Sequence, residues 1–298
     1  MIGGIGSITW VRMQDAGNVL AARVMTLEPS PRILELTGAD LAKVVGAAGT
    51  TGIMTQVELP LAPAYRWVDL FLGFDTFERA LAFADGLAHE DGIAKKDIAV
   101  IAAPGAATYF ARHHDYISPE NHVVLAIVAE TGVEAALMRA GEAGADVLLR
   151  SDKLTAEEAE RLPPGAELAW HHTTLRALRV DPAVTAIEAL FSGPGWRKAV
   201  TDLYATLGDD VIGHVELLRS GGHVACAALP LVRFSTPERL ADIVTAHRTA
   251  GAVILDDAAP VDAGHPDRLT EAQRALKAEA DPAGLLNPPG PGQGSSAS

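Results

Sequence analysis

A histidine and a glutamate stand two residues apart, at His214 and Glu216. They lie in the apolar run 211–218, which predicts a strand, and alternate residues of a strand point to the same face. An imidazole beside a carboxylate can orient a catalytic base or bind a metal ion. A metal site needs three or four ligands, and no further ligand is evident. The pattern therefore favours a structural or substrate-contacting pair over a metal site.

Two further side chains are candidates for substrate contact, His172 and Arg233. His172 has the chemistry of a catalytic base or a substrate ligand, and a hydrogen-bonded structural histidine is an equal alternative. Arg233 ends an apolar strand, where its guanidinium fork suits a substrate carboxylate. A salt bridge on an edge strand explains Arg233 equally well. The catalytic candidates are thus His172, His214, Glu216 and Arg233.

Two glycine-rich segments, 3–7 and 46–55, could bring backbone amides close to a large cofactor. Neither has the G-x-G-x-x-G pattern between a strand and a helix, and neither continues into the Lys-Ser or Lys-Thr of a phosphate loop. Tight turns are the alternative reading. A glycine loop normally lies inside a domain, so its position at residues 3–7 predicts that an upstream part is missing.

Three other groups have plainer interpretations. His113 and His114 fall in a polar stretch, which predicts that both face solvent. Cys226 on an apolar strand is expected to be a small core residue. The acidic run 157–160 is expected to be a solvated helix face.

The elements that must position these residues follow from hydrophobic periodicity. Predicted strands cover residues 18–27, 32–36, 55–61, 67–74, 98–101, 123–128, 147–149, 184–191, 211–218, 223–234 and 253–255. Predicted helices cover 40–45, 76–89, 131–143 (capped by Thr131), 195–207, 235–250 and 267–280. Two rounds of strand–helix–strand predict an α+β fold, a mostly antiparallel sheet covered by helices. Domain boundaries are expected to give segments 1–64, 65–250 and 251–288, with a disordered Pro/Gly/Ser-rich tail at 289–298.

The composition of the 298-residue chain excludes several classes of protein. At 48% hydrophobic the chain is too apolar to be disordered, and its net charge of −14 argues against binding nucleic acid. One cysteine gives no internal disulfide framework. No apolar run reaches the roughly 18 residues of a membrane span, and no signal peptide is evident. We therefore expect a cytoplasmic protein.

Three segments carry a resemblance to a known family. The segment Gly46-x-x-Gly49-Thr50-x-Gly52-Ile53-Met54-Thr55-x-Val57 resembles the "G-x-x-G-T-x-G-I-I-T-x-V" segment of FAD-linked oxidases of the vanillyl-alcohol oxidase / glycolate oxidase type. Residues 3–7 resemble the glycine loop further upstream in the same FAD domain. Residues 281–288 resemble the family's C-terminal "D-P-x-G-L-L-N-P-G". The segments occur in the family's order, and residues 170–175 and 229–234 resemble the cap domain of a bacterial branch.

The resemblance implies a fold and a cofactor. The fold is the second half of an FAD-binding domain of the p-cresol methylhydroxylase (PCMH) type, followed by a ferredoxin-like α/β cap domain. The family's first FAD subdomain, which binds the pyrophosphate, is absent. The residues implied to contact FAD are Gly4, Gly6, Ser7, Gly49, Thr50, Gly52, Ile53 and Asn287.

Two functions follow from the resemblance. The first is oxidation of a small 2-hydroxy acid or alcohol by hydride transfer to flavin N5, by this chain or by a protein of which it is the C-terminal part. The second is a non-catalytic, degenerate remnant that binds a small acid or a partner. A separate chain with the missing FAD subdomain is one expected partner, and a second copy of this chain is another.

Overall fold

The computed structural model describes residues 17–61, 63–220, 222–256 and 269–287. The chain divides into two compact units. Among these residues, the larger unit is formed by residues 63–220 and 222–256, and the smaller unit by residues 17–61 and 269–287. The predicted disordered tail lies outside the described residues.

The larger unit is built on an eight-stranded sheet with the strand order β14-β9-β12-β11-β5-β6-β4-β7. Every strand pair in the described residues is antiparallel, as predicted. The strands of this sheet are β4 (Trp67–Phe74), β5 (Lys95–Ile101), β6 (His122–Ala129), β7 (Asp146–Arg150), β9 (Glu188–Phe191), β11 (His214–Ser220), β12 (His223–Ala228) and β14 (Val253–Asp256). A second sheet joins β8 (Val184–Ala186), β10 (Val211–Ile212) and β13 (Leu231–Arg233) in the order β10-β13-β8.

Both faces of the large sheet are buried, because side chains alternate along each strand. Leu70 and Leu72 of β4 enter one core and Phe71 enters the other. The first core is completed by α1 (Phe77–His89), α3 (Val133–Glu142), α6 (Trp196–Leu207) and α7 (Pro237–Thr249). The second core is completed by α2 (Gly105–Tyr109) and α5 (His171–Val180), and α4 (Ala156–Arg161) follows β7. The acidic run 157–160 lies on α4 and is partly or fully exposed, as expected.

Three strands predicted as continuous are broken, so those predictions were wrong in detail. Residues 184–191 divide into β8 and β9, which belong to different sheets. Gly213 separates β10 from β11, and a Cβ there would come within 2.8 Å of the Tyr204 ring. Pro230, which has no backbone N–H to donate, separates β12 from β13. The sheet also continues past the predicted domain boundary at residue 250, because β14 pairs with β9.

Helix starts agree with the sequence in most places. The Thr76 and Thr236 side chains accept the amides of Arg79 and Arg239 and so cap α1 and α7. The Thr131 cap was wrong: Thr131 lies in a 3₁₀ turn, Glu130–Gly132, and α3 begins after Gly132 with no side-chain cap. Neither α2 nor α5 was predicted.

The smaller unit is a three-stranded antiparallel sheet with the order β2-β1-β3. Its strands are β1 (Ala21–Met25), β2 (Ile33–Thr37) and β3 (Ile53–Glu58), and β1 and β2 form the predicted hairpin. The predicted helix at 40–45 is a 3₁₀ helix, Gly38–Lys43, which packs with α8 (Glu271–Ala280) on the core side of the sheet. Every residue of β3 is exposed. No helix in the described parts of either unit has the length and apolar character needed to cross a bilayer.

Candidate functional site

Five side chains of the larger unit form a buried polar group, called here the acid–histidine cluster: Asp97, Trp170, Thr173, His214 and Glu216. His214, Glu216 and Thr173 have no exposed surface, Asp97 is 2% exposed, and Trp170 is partly buried. Buried polar side chains are costly unless they are bonded to one another. The cluster is therefore the part of the larger unit where the sequence departs furthest from an apolar core.

The strand register brings the cluster together. Val215 and Leu217 point into the first core, so His214 and Glu216 point to the opposite face of β11. Glu216 is paired with Ala99 of the neighbouring strand β5. Asp97 stands two residues from Ala99 and so shares its face of the sheet.

Short hydrogen bonds connect the cluster. The Nε2 atom of His214 lies 2.8 Å from Glu216 Oε1, and the Trp170 backbone N–H donates to the same oxygen over 2.6 Å. The indole N–H of Trp170 donates to Asp97 Oδ1 over 3.3 Å. The Thr173 hydroxyl donates to the Leu168 carbonyl over 2.6 Å and lies 3.4 Å from His214 Nε2.

Burial controls the protonation of this pair. Desolvation raises the pKa of Glu216 to about 8, although the Trp170 amide opposes the shift. Desolvation also lowers the pKa of His214 to about 4. At neutral pH the two side chains are therefore a carboxylic acid and a neutral imidazole, and the contact is a hydrogen bond between neutral groups.

Trp170 has an unusual backbone, with φ 54° and ψ −140°. A non-glycine residue in this region costs on the order of 1–3 kcal/mol and persists only where its surroundings hold it. Here the backbone N–H is held by Glu216 and the indole by Asp97. The turn at Trp170 starts α5, whose first two residues are His171 and His172.

The structure brings together two of the four predicted catalytic residues, His214 and Glu216. His172 and Arg233 are exposed, and no hydrogen bond or ion pair in the described residues connects either one to the cluster. His114 is exposed as expected, but His113 was predicted wrongly: it is 1% exposed and stacks on Phe71 at 5.0 Å. Cys226 is buried, as predicted.

In the smaller unit, three of the predicted cofactor residues, Gly49, Thr50 and Gly52, lie in one loop. Ala48, Gly49 and Gly52 have positive φ angles of 50°, 68° and 128°. A Cβ at Gly52 would overlap Val24 Cγ1, so only glycine fits there. The buried Thr50 hydroxyl and the Thr50 backbone N–H both donate to the Ala47 carbonyl, over 2.6 and 3.0 Å, so Thr50 fixes the shape of the loop.

The C-terminal motif meets this glycine loop, which we define as residues 46–52. Asn287 donates from Nδ2 to the Ala48 carbonyl over 2.5 Å, although 239 residues separate the two in sequence. Asp281 holds the segment by accepting the amides of Leu285 and Leu286 over 2.8 and 2.9 Å. Lys277 reaches the Thr50 and Leu286 carbonyls over 3.4 and 3.3 Å. Two of the three motifs that carried the family resemblance are thus adjacent in space.

The glycine loop and Asn287 fit a flavin in their chemistry. Gly49 and Asn287 are exposed, and the amide of Gly49 makes no backbone hydrogen bond within the described residues. An open backbone amide and a primary side-chain amide suit the carbonyl oxygens and nitrogens of an isoalloxazine ring. Ile53 is 42% exposed at the start of β3. Gly4, Gly6 and Ser7 lie outside the described residues, which also contain no group of three side chains able to hold a metal ion.

Several residues of these sites were missed from the sequence. Asp97 had a usable signal, since it is an acid at an alternate position of an apolar strand. Trp170 and Thr173 lay in a segment singled out as cap-like, but nothing in their types indicated a strained turn. Lys277 belongs to an ordinary amphipathic helix, and only the fold shows that it reaches the glycine loop.

The comparisons with known proteins give a consistent fold. No protein-family model and no curated protein matches the chain. An alkyldihydroxyacetonephosphate synthase superposes with a TM-score of 0.56 at 15% identity, over 91% of this chain and 52% of the synthase. A p-cresol methylhydroxylase with substrate bound superposes with a TM-score of 0.56 at 9% identity, over 91% of this chain and 64% of the hydroxylase. A 4-ethylphenol oxidase from Gulosibacter chungangensis, in complex with isoeugenol, superposes with a TM-score of 0.52 at 15% identity, over 91% of this chain and 65% of the oxidase.

The chain has the fold of the FAD-linked oxidases of the PCMH type. This confirms the resemblance inferred from the glycine-rich and Asp-Pro motifs. The chain spans only 52–65% of the length of these three proteins. At such low identities the PCMH-type likeness establishes the fold and leaves the activity to be argued from the sites.

Proposed function

We propose that the chain is an FAD-dependent oxidoreductase, or the cap-bearing part of one, that oxidises a small 2-hydroxy acid or alcohol. The observation that carries the proposal is the meeting of the glycine loop with Asn287, within a fold shared with FAD-linked oxidases. Two motifs far apart in sequence bring the exposed amide of Gly49 and the side-chain amide of Asn287 together, and this supports a flavin site.

The glycine loop and Asn287 would hold the flavin in this proposal. When bound, FAD supplies the hydride acceptor, and the protein supplies binding, orientation and electrostatics. Gly49, Gly52 and Ile53 would present backbone to the ring, and Thr50 would keep the loop in shape through its bond to Ala47. Asn287 would add its side-chain amide.

Substrate contacts are assigned to the two exposed candidates. Arg233 would bind the carboxylate of a 2-hydroxy acid through its guanidinium fork. His172 would accept the hydroxyl proton at an imidazole nitrogen as the substrate loses its hydride. His214 and Glu216 have no exposed surface, so their proposed contribution is to hold Trp170, which precedes the two histidines of α5. With a single cysteine and a charge of −14, we expect this enzyme in the cytoplasm.

A flavin titration of the purified chain tests the proposal. We expect the absorbance band of FAD near about 450 nm to shift, and the flavin fluorescence to change, saturably as FAD binds the chain. Asn287→Ala should weaken binding about tenfold, the equivalent of one well-placed hydrogen bond. Gln56→Ala is the matched control, because it removes an exposed amide of the same unit away from the glycine loop, and it should leave affinity unchanged within about twofold. If neither the chain alone nor the chain with an added upstream part binds FAD, the proposal fails.

A second candidate function is a non-catalytic subunit that binds a partner. It is favoured by the 52–65% coverage of the structural neighbours and by the exposed strand β3. Ile53, Met54 and Val57 are 42%, 47% and 45% exposed there, and contiguous apolar surface of this kind often marks a contact site. The proposed partner is a separate chain that carries the remaining part of the neighbours' fold.

Turnover separates the two candidates. With saturating FAD and a panel of 2-hydroxy acids, the first candidate reduces an artificial electron acceptor. The second binds the acid or the partner chain and reduces nothing. Arg179 is an exposed arginine of α5 and serves as the control. If Arg233→Ala abolishes the reduction of the acceptor and Arg179→Ala keeps it, the carboxylate contact belongs to Arg233.

A further inference from the structure

Asp97 and Glu216 are two acidic side chains in contact inside the larger unit, within hydrogen-bonding reach of each other. In each carboxyl group one oxygen accepts two hydrogen bonds. Asp97 Oδ1 accepts the Ile98 amide over 3.1 Å and the Trp170 indole. Glu216 Oε1 accepts the Trp170 amide and faces His214 Nε2.

The second oxygen of Glu216 is in a different situation. Oε2 is fully buried, and no donor among the described residues reaches it. A carboxylate is acceptor-only, so two ionised carboxylates in contact would repel each other and leave this oxygen without a bond. One proton held between the two acids converts the repulsion into a hydrogen bond.

The groups around the pair give little charge to compensate a second carboxylate. His214 faces it from β11 and is held neutral by burial, which lowers its pKa to about 4. Cys226 lies on β12, and burial raises the pKa of its thiol. Trp170 and Thr173, from the start of α5, bring polar but uncharged groups.

We propose that Asp97 and Glu216 share a single proton, and that this acid pair fixes the Trp170 turn from which α5 begins. The pair holds both ends of Trp170, the backbone through Glu216 and the indole through Asp97. Asp97 and Glu216 are positioning residues. The proton sharing stands independently of the proposed oxidoreductase function, and only its consequence for His172 rests on that function.

Infrared spectroscopy tests the shared proton directly. At pH 7 the wild-type chain is expected to show the carbonyl stretch of a buried protonated carboxyl group. Glu216→Gln and Asp97→Asn should each remove that band, because an amide N–H can then donate to the remaining carboxylate. A wild-type chain without the band at pH 7 would overturn the proposal, as would two single variants that each remove a different band.

The pH dependence of unfolding is a second readout. The folded pair keeps its proton up to a pH near 8, whereas unfolded Asp and Glu ionise near about 4. The folded state then binds more protons, so the unfolding equilibrium constant rises by about tenfold per pH unit. Below pH 6.5 the lowered pKa of His214 acts with the opposite sign and cancels the trend. The rise should therefore be visible between pH 6.5 and 8.

Matched variants decide whether the acid pair causes this rise. Glu216→Gln and Asp97→Asn should both lose it. Asp69→Asn should keep it; Asp69 is a partly buried acid of the same sheet that accepts the Gly165 amide over 2.7 Å. A rise that survives in both cluster variants, or that Asp69→Asn also abolishes, contradicts the proposal.

An NMR titration of Trp170 tests whether the acid pair holds the Trp170 turn. The indole N–H resonance of Trp170, assigned by its loss in Trp170→Phe, should shift with the same midpoint as the infrared band. In Glu216→Gln the resonance should no longer titrate over that range. A Trp170 resonance that stays constant while the pair loses its proton would show that the pair does not hold the turn.

Discussion

The two units of the molecule place polar chemistry in opposite settings. In the larger unit, the acid–histidine cluster is buried in a sheet covered on both faces, and its donors and acceptors are mostly used within the cluster. In the smaller unit, the glycine loop and Asn287 stand at the surface beside a fully exposed strand. Buried bonded groups fix one conformation, whereas open groups remain available to a ligand.

Both units contain strained backbone, and they hold it differently. Trp170 is held by two acidic side chains from neighbouring strands. In the glycine loop, glycines occupy positive-φ positions, Gly49 and Gly52 among them, and glycine adopts positive φ with little strain. The Thr50 and Asn287 side chains hold the loop through hydrogen bonds to the carbonyls of Ala47 and Ala48. We therefore expect substitutions in the cluster to act mainly on stability, and those at the loop to act on stability and on ligand binding.

The largest effect is expected for Glu216→Ala. It leaves the Trp170 amide without a partner, removes the shorter of the two contacts of His214 Nε2 and creates a cavity. The free energy of unfolding at pH 5 should therefore fall by about 3–5 kcal/mol. The loss should be smaller at pH 8, where wild type carries the cost of keeping the acid protonated. Glu157→Ala, on the exposed face of α4, should change it by less than about 0.5 kcal/mol. Urea unfolding measures both, and equal effects would show that the cluster does not stabilise the larger unit.

The next largest effect is expected for Gly52→Ala. Its φ of 128° and the overlap of an added Cβ with Val24 predict a loss of about 1–3 kcal/mol. Gly86 lies inside α1, and a Cβ added there would have no atom within 4 Å, so Gly86→Ala should stabilise by about 0.5–1 kcal/mol. Thermal unfolding should show a lowered melting temperature for Gly52→Ala and a raised one for Gly86→Ala. A Gly52→Ala chain as stable as wild type would remove the argument for a constrained glycine loop.

Asp281→Asn tests the C-terminal segment. Burial raises the pKa of Asp281, but the amides of Leu286 and Leu285 and the Lys277 ammonium outweigh burial and leave the pKa lowered. A lowered pKa contributes stability above the unfolded value of 3.8 that is lost as pH falls. At pH 7 the variant should lose about 1–2 kcal/mol, since hydrogen bonds to a charged group are replaced by neutral ones. The difference from wild type should close in acid, and a constant difference would contradict the assignment.

The smallest effect is expected on β3. Met54 is 47% exposed, so Met54→Ser should change the free energy of unfolding by less than about 0.5 kcal/mol. Val24, its partner across the β1–β3 ladder, is 0% exposed, and Val24→Ala should cost about 2 kcal/mol. If Met54→Ser were as costly as Val24→Ala, β3 would not be an open strand.

The sequence predicted the parts of the molecule that depend on local pattern. The β1–β2 hairpin, the capped helices α1 and α7 and the shared face of His214 and Glu216 all follow from periodicity and capping. The breaks at Gly213 and Pro230 were missed, because they depend on the Tyr204 ring and on the exchange of strands between sheets. Asp97 had a signal in the sequence as an acid in an apolar strand, but its bond to Trp170 and the strain at Trp170 could not be predicted, because both arise from tertiary contacts. The Asn287–Ala48 bond was anticipated only in part, since the family resemblance placed both motifs at the same cofactor.

The most direct test of the central claim is the flavin spectrum of the purified chain titrated with FAD, alone and with an added chain that carries the upstream part of the fold. We predict a saturable change in the flavin absorbance near about 450 nm and in its fluorescence; Asn287→Ala should weaken the binding that causes this change, and Gln56→Ala should leave it unaltered. FAD whose spectrum and fluorescence remain those of free flavin in both preparations would contradict the claim.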